Sequence, residues 1–269
     1  MEQPPVPADG VAAGRKKRPK PAKKMNRSWL LFALLPAAVV ALVGLQYLVG
    51  AYNIPSGAML PTLQIGDHIV ATRYVLLGTP QPRRGELVVF RYPDPNPNTD
   101  PVLFVKRVIA LPGDQLEVDA GQPIINGLRL PRCSLGTTEV VAGEERRTYE
   151  LFVEFLEGVG FLVARDPELP ARRQGPYTVP PGELYVLGDN RDNSSDSRAW
   201  NGGRGAGVPF DHLERRATWV WLSNDGALRD LNGGPRLLAS LSHLQPALDR
   251  CMAKAPSAAQ STPPAPAAR

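Results

Sequence analysis

A lysine inside an apolar strand is the first residue of this chain whose position suggests chemistry. Residues 102–111 read VLFVKRVIAL, and alternation places Lys106 on the same face as Phe104 and Val108. Burial on an apolar face disfavours the charged form of a lysine and lowers its pKa. Such a lysine can act as a general base near neutral pH. The same pattern also fits an edge-strand lysine that faces solvent.

A strongly polar run at residues 188–198, GDNRDNSSDSR, is the second candidate for chemistry. It is too polar for a strand. On its own it fits a solvated turn whose Asp and Asn side chains cap the local backbone. Within the run, Asp196 and Arg198 can form a local ion pair, and the Ser194 hydroxyl can hydrogen-bond a buried amine.

A long apolar segment lies near the start of the chain. No charged residue occurs from residue 28 to 66, and residues 29–49 (WLLFALLPAAVVALVGLQYLV) are almost wholly apolar. A helix of ~20 such residues crosses the hydrocarbon layer of a bilayer. A buried core helix would show a polar stripe, and a cleaved secretory signal would be shorter and end at small residues. We therefore predict an uncleaved single transmembrane helix over residues 28–50.

The charge distribution orients this predicted anchor. The net charge is +5, and residues 1–27 carry eight bases and two acids, so the remainder of the chain is close to neutral. Basic residues favour the cytoplasmic end of a span. The N-terminus is therefore predicted in the cytoplasm, and everything from about Tyr52 onward outside it, on the inner or plasma membrane of the cell. Because the basic charge belongs to the tail, a nucleic-acid-binding fold is excluded.

Cysteine and histidine usage excludes further classes of protein. Two cysteines rule out a multi-disulfide scaffold, and no Cys/His cluster has zinc spacing. The three histidines are scattered, so we predict no metal site. Cys133 and Cys251 can pair in an oxidising compartment, but Cys251 lies near the C-terminal tail, and two unpaired thiols are our expectation.

Short β-branched or aromatic runs dominate the chain after the apolar segment. The predicted strands are residues 67–74, 85–92, 102–111, 115–118, 148–155, 183–187 and 218–222. Pro-Gly and Gly-Asp pairs separate them, as expected for turns. We predict a mainly β fold, with the anchor helix followed by an antiparallel sheet or a partly closed barrel-like domain. The predicted organisation is a disordered basic cytoplasmic tail at 1–27, the anchor at 28–50, an extracytoplasmic β-rich domain at 51–224, a C-terminal segment with a short helix at 225–253, and a disordered Pro/Ala-rich tail at 254–269.

A third feature, residues 54–63 (IPSGAMLPTL), follows the apolar segment directly. Three further motifs follow it along the chain. They are RGELVVF at residues 84–90, Lys106 with the PGD of residues 112–114, and the polar run at residues 188–198. In this order after a single apolar segment, these motifs resemble bacterial type I signal peptidase. The resemblance extends from the apolar segment to about Leu222, and the polar run is its most specific part.

The resemblance implies a serine–lysine dyad. In that family a serine attacks the scissile carbonyl, a neutral lysine takes its proton, and a hydroxyl two residues before the nucleophile assists a backbone N–H in the oxyanion hole. Lys106 is then the base, Ser194 the hydroxyl that orients it, and Ser56 the oxyanion donor. Asp196 and Arg198 would support the polar turn.

The resemblance also implies a substrate and its pocket. The substrate is a preprotein with small residues at positions −1 and −3 before the cut, so the expected partners are signal-peptide-bearing preproteins and the lipid bilayer. No metal or organic cofactor is implied. The residues implied to line the −1 pocket are Ile54, Pro55, Met59, Leu63 and Val105, with Tyr52 and Ile69 towards the −3 pocket.

The chain departs from the family pattern at its most important position. The nucleophile is expected immediately before Met59, where this chain has Ala58. A methyl group has no lone pair and cannot form an acyl-enzyme. Ser56 is a poor substitute, because in an extended segment it lies ~6.6 Å from position 58. Its use as nucleophile would also remove the oxyanion donor, at a cost of about 10²–10³ in rate.

Several explanations of Ala58 stay open at the level of sequence. The alanine replaces a serine in an engineered, substrate-trapping form, or the chain is a natural homolog that binds signal peptides without cutting them, or a shifted nucleophile such as Ser56 operates. A different class of protein, a non-enzymatic anchored β-domain adaptor, predicts that Lys106 is an ordinary surface lysine. The enzyme-type interpretation predicts a lysine of depressed pKa beside a groove.

Overall fold

The computed structural model describes residues 28–74, 82–92, 102–142, 145–223, 226 and 228–266. The chain divides into two compact units, Met1–Val43 and Gly44–Arg269. The predicted tail at residues 1–27 lies outside the described residues.

Helix α1 spans Ser28–Leu48 and contains Pro36. Over the part of it whose side chains are described, large apolar groups such as Leu35 and Val40 are exposed. Within the residues that the structure describes, no helix was found that combines the length and the apolarity needed to cross a membrane.

The largest sheet has eight strands and holds the segments that matter for the site. Its order is β1-β2-β14-β3-β4-β12-β13, with β15 paired to β14. Neighbouring strands are antiparallel, as the short alternating runs predict. The strands are β1 (Val49–Asn53), β2 (His68–Thr72), β3 (Leu87–Tyr92), β4 (Val102–Ala110), β12 (Glu183–Leu187), β13 (Val208–Pro209), β14 (Leu213–Leu222) and β15 (Arg229–Asp230).

Two smaller antiparallel sheets are inserted between β4 and β12. One has the order β10-β9-β8 and the other β11-β5-β6-β7. Their strands are β5 (Gln115–Asp119), β6 (Gln122–Ile125), β7 (Leu128–Arg129), β8 (Arg132–Ala142), β9 (Glu145–Leu156), β10 (Val159–Arg165) and β11 (Arg173–Thr178). The mainly β, antiparallel prediction is confirmed, whereas the barrel is not closed. The physical reason is that the strands are shared among three sheets, and β1 and β13 do not pair with each other among the described residues.

A core cluster beneath β1 and β2 contains several residues predicted for the substrate pocket. Ile54, Met59, Leu63 and Ile69 pack with Val89 and their neighbours, and Leu63 and Ile69 are fully buried. Complete burial of side chains of this size contributes about 1.5–3 kcal/mol each. The segment after β1 is therefore held to the sheet by its own apolar side chains.

The C-terminal part of the chain folds back onto the β8–β10 sheet. A 3₁₀ helix at Ala239–Leu244 leads into α2 (Gln245–Ala253), within the segment where a short helix is predicted. Leu248 and Cys251 of α2 are buried in the cluster that β8, β9 and β10 form. The structure pairs Cys133 with Cys251 in a disulfide, so the expectation of two unpaired thiols is wrong. The reason is tertiary: packing of α2 against β8 brings the two cysteines together.

The C-terminal tail, which the sequence predicts to be disordered from residue 254, is folded against the domain in the part that the structure describes, up to residue 266. It contains helix α3 (Ala258–Ser261), and Ser261 is fully buried. The Ser261 carbonyl accepts a hydrogen bond from Glu157 N–H at 2.9 Å, and its hydroxyl accepts one from Gly158 N–H at 2.7 Å. Partners on the β9–β10 turn therefore order a segment whose composition indicates disorder.

Candidate functional site

The segment that carries position 58 is a buried turn. Ser56 has extended backbone angles, and a 3₁₀ turn follows at Gly57–Met59, all three residues of which are buried. Leu63 N–H donates to the Met59 carbonyl at 2.9 Å and continues the turn. This turn replaces the extended backbone that the sequence suggests through position 58, so the separation of Ser56 from position 58 expected for a strand does not apply. Ser56 itself is exposed, whereas Ala58 is only 8% exposed.

Lys106 lies in the middle of β4, opposite Val88 of β3. Its side chain is 3% exposed, and its Nζ lies 5.4 Å from the centre of the Phe104 ring. Burial lowers the pKa of Lys106 to about 8, against the opposing effect of the Asp196 and Asp189 carboxylates. A substantial fraction of this amine is therefore neutral, and able to accept a proton, only slightly above physiological pH.

The polar run at residues 188–198 folds into a loop organised by an ion pair. The Asp196 carboxylate is fully buried and accepts hydrogen bonds from Arg198 Nε at 2.8 Å and Arg198 Nη2 at 2.7 Å. It also accepts one from Gly188 N–H at 2.9 Å. Burial alone raises the pKa of Asp196, but the charge and hydrogen bonds of Arg198 outweigh this effect and hold that pKa below its usual value. Asp196 and Arg198 are thus joined as the sequence predicts, and the local ion pair closes the loop.

Gly188 is the place where this loop meets the turn at position 58. A Cβ atom on Gly188 would lie 2.2 Å from Ser194 Oγ and 2.6 Å from the Ala58 carbonyl oxygen. Neither distance is compatible with a side chain, so only glycine permits this approach. Ser194 Oγ and the Ala58 backbone are consequently packed around one point.

Asn190 and Asp189 fasten the loop to the turn by hydrogen bonds. Asn190 N–H donates to the Ala58 carbonyl at 3.1 Å, and Asn190 Nδ2 donates to the Gly57 carbonyl at 3.1 Å. Thr62 Oγ1 donates to the Asp189 carboxylate at 2.5 Å. These contacts orient the peptide units around position 58.

A buried ion pair connects the same loop to the lysine strand. Arg107, which follows Lys106 in β4, donates to both carboxylate oxygens of Asp189 at 2.8 and 2.6 Å. Both side chains are nearly inaccessible to solvent. The Lys106 strand, the polar loop and the turn at Ala58 therefore form one connected unit through Asp189.

A groove of about 380 Å³ opens between the turn and β4. Most residues predicted for the site line this groove, namely Tyr52, Ile54, Pro55, Ser56, Ala58, Met59, Val105 and Lys106. Leu63 and Ile69 are instead fully buried in the cluster beneath it. Asp196 is buried in the loop, and Ser194 and Arg198 line a separate cavity of about 260 Å³.

Sequence reasoning missed several residues of the site. Asn193 and Ser195 of the polar loop line the groove, as do Val89, Leu103 and Phe104. The supporting residues Thr62, Arg107, Asp189 and Asn190 belong to the same segments, but their supporting hydrogen bonds were not predicted. Their positions in the sequence could have indicated a role at the site, since Arg107 adjoins Lys106 and Asp189 follows Gly188. In the described part of the chain, no group of three or more His, Cys, Asp or Glu is placed to hold a metal ion.

Fold and site together define a mainly antiparallel β protein with an apolar groove that contains a buried lysine of lowered pKa. The family described as signal peptidase, peptidase S26, matches residues 27–222. A signal peptidase I of Pseudomonas fluorescens is 32% identical, over 75% of this chain and 76% of its own length. A signal peptidase I of Pseudomonas aeruginosa is 33% identical, over 78% of this chain and 80% of its own length. The chain belongs to the signal peptidase, peptidase S26, family.

A solved structure of a signal peptidase I from Enterococcus faecalis V583 is 28% identical and covers 50% of this chain and 95% of its own. Its TM-score against this chain is 0.27, which is below the range in which a shared arrangement of elements can be argued.

Proposed function

We propose that the groove binds the end of a signal peptide on exported preproteins and that its chemistry is that of a serine–lysine dyad lacking its serine. The observation that carries the proposal is the arrangement of Lys106 and Ala58, which line one apolar groove. Lys106 has a pKa of about 8, as a general base near neutral pH requires. The relatives named above are signal peptidases I, which supports the same assignment.

The proposed roles are those that membership of the signal peptidase family implies for these residues. With a hydroxyl at position 58, neutral Lys106 takes its proton while the oxygen attacks the scissile carbonyl. The new C–O bond gives an acyl-enzyme, the proton passes to the leaving amine, and water then releases the acyl group. Ser56 at the groove donates to the developing oxyanion. Ser194 orients the lysine. The ion pair of Asp196 with Arg198 supports the loop that carries Ser194.

Ala58 stops this sequence before its first bond forms. The alanine keeps the backbone of the turn, the groove and Lys106, but offers no lone pair for attack. With alanine at position 58, the chain therefore binds signal peptides and releases them uncut. Ala58 lines the groove, so the proposal places the hydroxyl of a serine at this position beside Lys106.

Two alternative functions compete with this proposal, a shifted nucleophile and a non-enzymatic adaptor. Ser56 also lines the groove, and its hydroxyl is the candidate for a shifted nucleophile. A non-enzymatic adaptor predicts a solvated lysine at position 106, and the 3% exposure of Lys106 speaks against it.

The substrate class follows from the groove wall. Ile54, Pro55, Met59 and Val105 are proposed to accept the small −1 side chain, with Tyr52 towards the −3 side chain. Leu63 and Ile69 form the packed floor beneath the groove rather than its surface. A floor of this kind cannot move aside for a large side chain, which fits a preference for alanine.

We also propose a membrane location for the chain. The supports are the apolar composition of residues 29–49, the eight bases before them, and exposed large side chains near the groove and on β14, such as Val102, Trp219 and Trp221. In this proposal the apolar segment at residues 29–49 holds the chain at the inner or plasma membrane, the N-terminus is cytoplasmic, and the groove lies outside. Alkaline extraction of membranes and protease protection of each terminus test this topology.

The decisive experiment is cleavage of a preprotein with an Ala-x-Ala site by the purified full chain in detergent. We expect no product from the chain as written and product from Ala58→Ser. The double variant Ala58→Ser/Lys106→Ala is the matched control and should be inactive. If the chain as written cleaves, and Ser56→Ala abolishes that cleavage, the shifted nucleophile replaces our proposal. If Ala58→Ser is silent although the preprotein binds, the dyad mechanism is wrong.

A further inference from the structure

A second cavity, of about 300 Å³, is lined by arginines and lies apart from the groove residues. None of the residues that line it also lines the groove among those described. Part of its wall, including Leu231, Pro235 and Arg236, comes from beyond residue 222, where the family match ends. The cavity is therefore separate from the proposed substrate groove. The charges of its lining residues determine which class of ligand it can bind.

Most of the arginines that line this cavity are already neutralised. Arg84 pairs with Asp114 and Glu157, at 2.7 Å each. The remaining pairs are Arg107 with Asp189 at 2.6 Å, Arg216 with Glu86 at 3.2 Å, and Arg229 with Asp67 at 2.5 Å. These pairs build a rigid wall, because each guanidinium is held by a buried or half-buried carboxylate.

Two arginines in the wall remain without an acidic partner. Arg83 and Arg236 line the cavity with exposed side chains, and neither forms an ion pair with a described residue. Arg216 Nε is buried and has no hydrogen-bond partner among the described residues. Because that atom is closed off from solvent, an anion in the cavity cannot reach it, and the donors that face the cavity without an acidic partner are those of Arg83 and Arg236.

The chemistry of these donors points to a phosphate group. Guanidinium groups present paired N–H donors that match the oxygens of a phosphate, and they keep their charge at all physiological pH values. The rest of the wall includes Val159, Phe161, Leu231 and Pro235, which can cover the apolar part of a phosphate ester. We infer that this cavity binds a phosphate group, held by Arg83 and Arg236. This inference goes beyond the proposed function and does not depend on it.

An occupant of the cavity would also touch the frame of the groove. Thr62 and Arg107 form part of the cavity wall, and both are hydrogen-bonded to Asp189. Asp189 belongs to the loop that packs on Ala58. A bound phosphate group therefore stiffens the same unit that carries Lys106, and it should raise the thermal stability of the full chain.

The test is calorimetric titration of inorganic phosphate into the full chain in a zwitterionic detergent. We expect saturable binding at one site and a raised melting temperature. Arg83→Gln/Arg236→Gln should weaken binding by at least about tenfold. The matched control Arg204→Gln/Arg250→Gln removes the same charge from exposed arginines outside the cavity and should bind as the parent does. Absence of saturable binding, or equal binding by the Arg83→Gln/Arg236→Gln variant, overturns the inference.

Nanodiscs distinguish a lipid headgroup from a soluble phosphate. If phosphate binds in phosphatidylcholine discs but is excluded in phosphatidylglycerol discs, and the control variant Arg204→Gln/Arg250→Gln keeps both results, an anionic lipid headgroup occupies the site. If phosphate binds equally in both kinds of disc, the site takes a soluble phosphate or phosphate ester. Both results uphold the phosphate site. If the control variant loses the exclusion of phosphate in phosphatidylglycerol discs, that exclusion arises from general surface charge. This result would overturn the inference.

Discussion

The Thr62 hydroxyl donates a 2.5 Å hydrogen bond to the carboxylate of Asp189, a residue 127 positions further along the chain. The same carboxylate accepts two hydrogen bonds from Arg107. One acid thus connects the turn at Ala58, the polar loop and the strand of Lys106. Because the Arg107–Asp189 pair is almost completely buried, this connection is shielded from water and from salt.

The pKa of Lys106 can be measured without turnover. Burial lowers it to about 8, so the amine of the full chain should lose its proton near that pH. A carbon-detected titration of ¹³Cε-labelled lysine follows this directly, with Lys106→Met assigning the resonance. In the Ala58→Ser variant the cleavage rate should rise as pH increases through about 8, because only the neutral amine can accept the serine proton. A rate that stays flat or falls across that range contradicts the role of Lys106 as base.

Loss of the Asp189 carboxylate should be strongly destabilising. Asp189→Ala leaves Arg107, which is 4% exposed, buried without its counter-charge. We expect the free energy of unfolding to fall by about 3–5 kcal/mol. Urea denaturation measures this, and Asp211→Ala, at an exposed carboxylate, is the control. A loss no larger than that of the control would show that the buried pair contributes little to the fold.

The Asn190 side chain should be required to shape the groove. In Asn190→Asp the amide donor that meets the Gly57 carbonyl is replaced by an acceptor, and two oxygens then face each other. We expect affinity for a fluorescent Ala-x-Ala signal peptide to fall by about tenfold or more. Asn201→Asp introduces the same charge at an exposed position and should bind normally. Equal affinity in Asn190→Asp would mean that this contact does not position the turn.

Reduction of the Cys133–Cys251 disulfide should loosen the C-terminal segment. The bridge joins residues 118 positions apart. Constraint of so long a loop in the unfolded chain stabilises the folded state by about 2–5 kcal/mol. We expect dithiothreitol to lower the melting temperature of the parent chain and to leave Cys133→Ser/Cys251→Ser unchanged. An equal response of both proteins to the reductant would exclude the bridge as its cause.

Much of the β architecture was predictable from local pattern. Alternating β-branched and aromatic residues in β3 and β4, bounded by Pro-Gly and Gly-Asp turns, indicate strands without any knowledge of their partners. The position of Lys106 among apolar neighbours allows a buried amine of lowered pKa, but it also fits an edge-strand lysine that faces solvent, and only the tertiary structure decided between the two. The prediction of the strands rests on a few adjacent residues, which is why the sequence is sufficient for it.

Contacts between distant segments were decided only by the tertiary structure. The pairing of Cys133 with Cys251 depends on how α2 packs against β8, and the order of Ser261 depends on partners at Glu157 and Gly158. The division of the strands among three sheets depends on which edges meet, and no single strand encodes that choice.

The site divides in the same way. The sequence by itself determined which residue types are present, including the lysine, the polar run and the alanine at position 58. Only the tertiary structure decided that Asn193 and Ser195 line the groove while Ser194 packs against Gly188. Successive residues of a loop point in directions set by its long-range hydrogen bonds, here those of Asp189 and Asn190, and not by a fixed period.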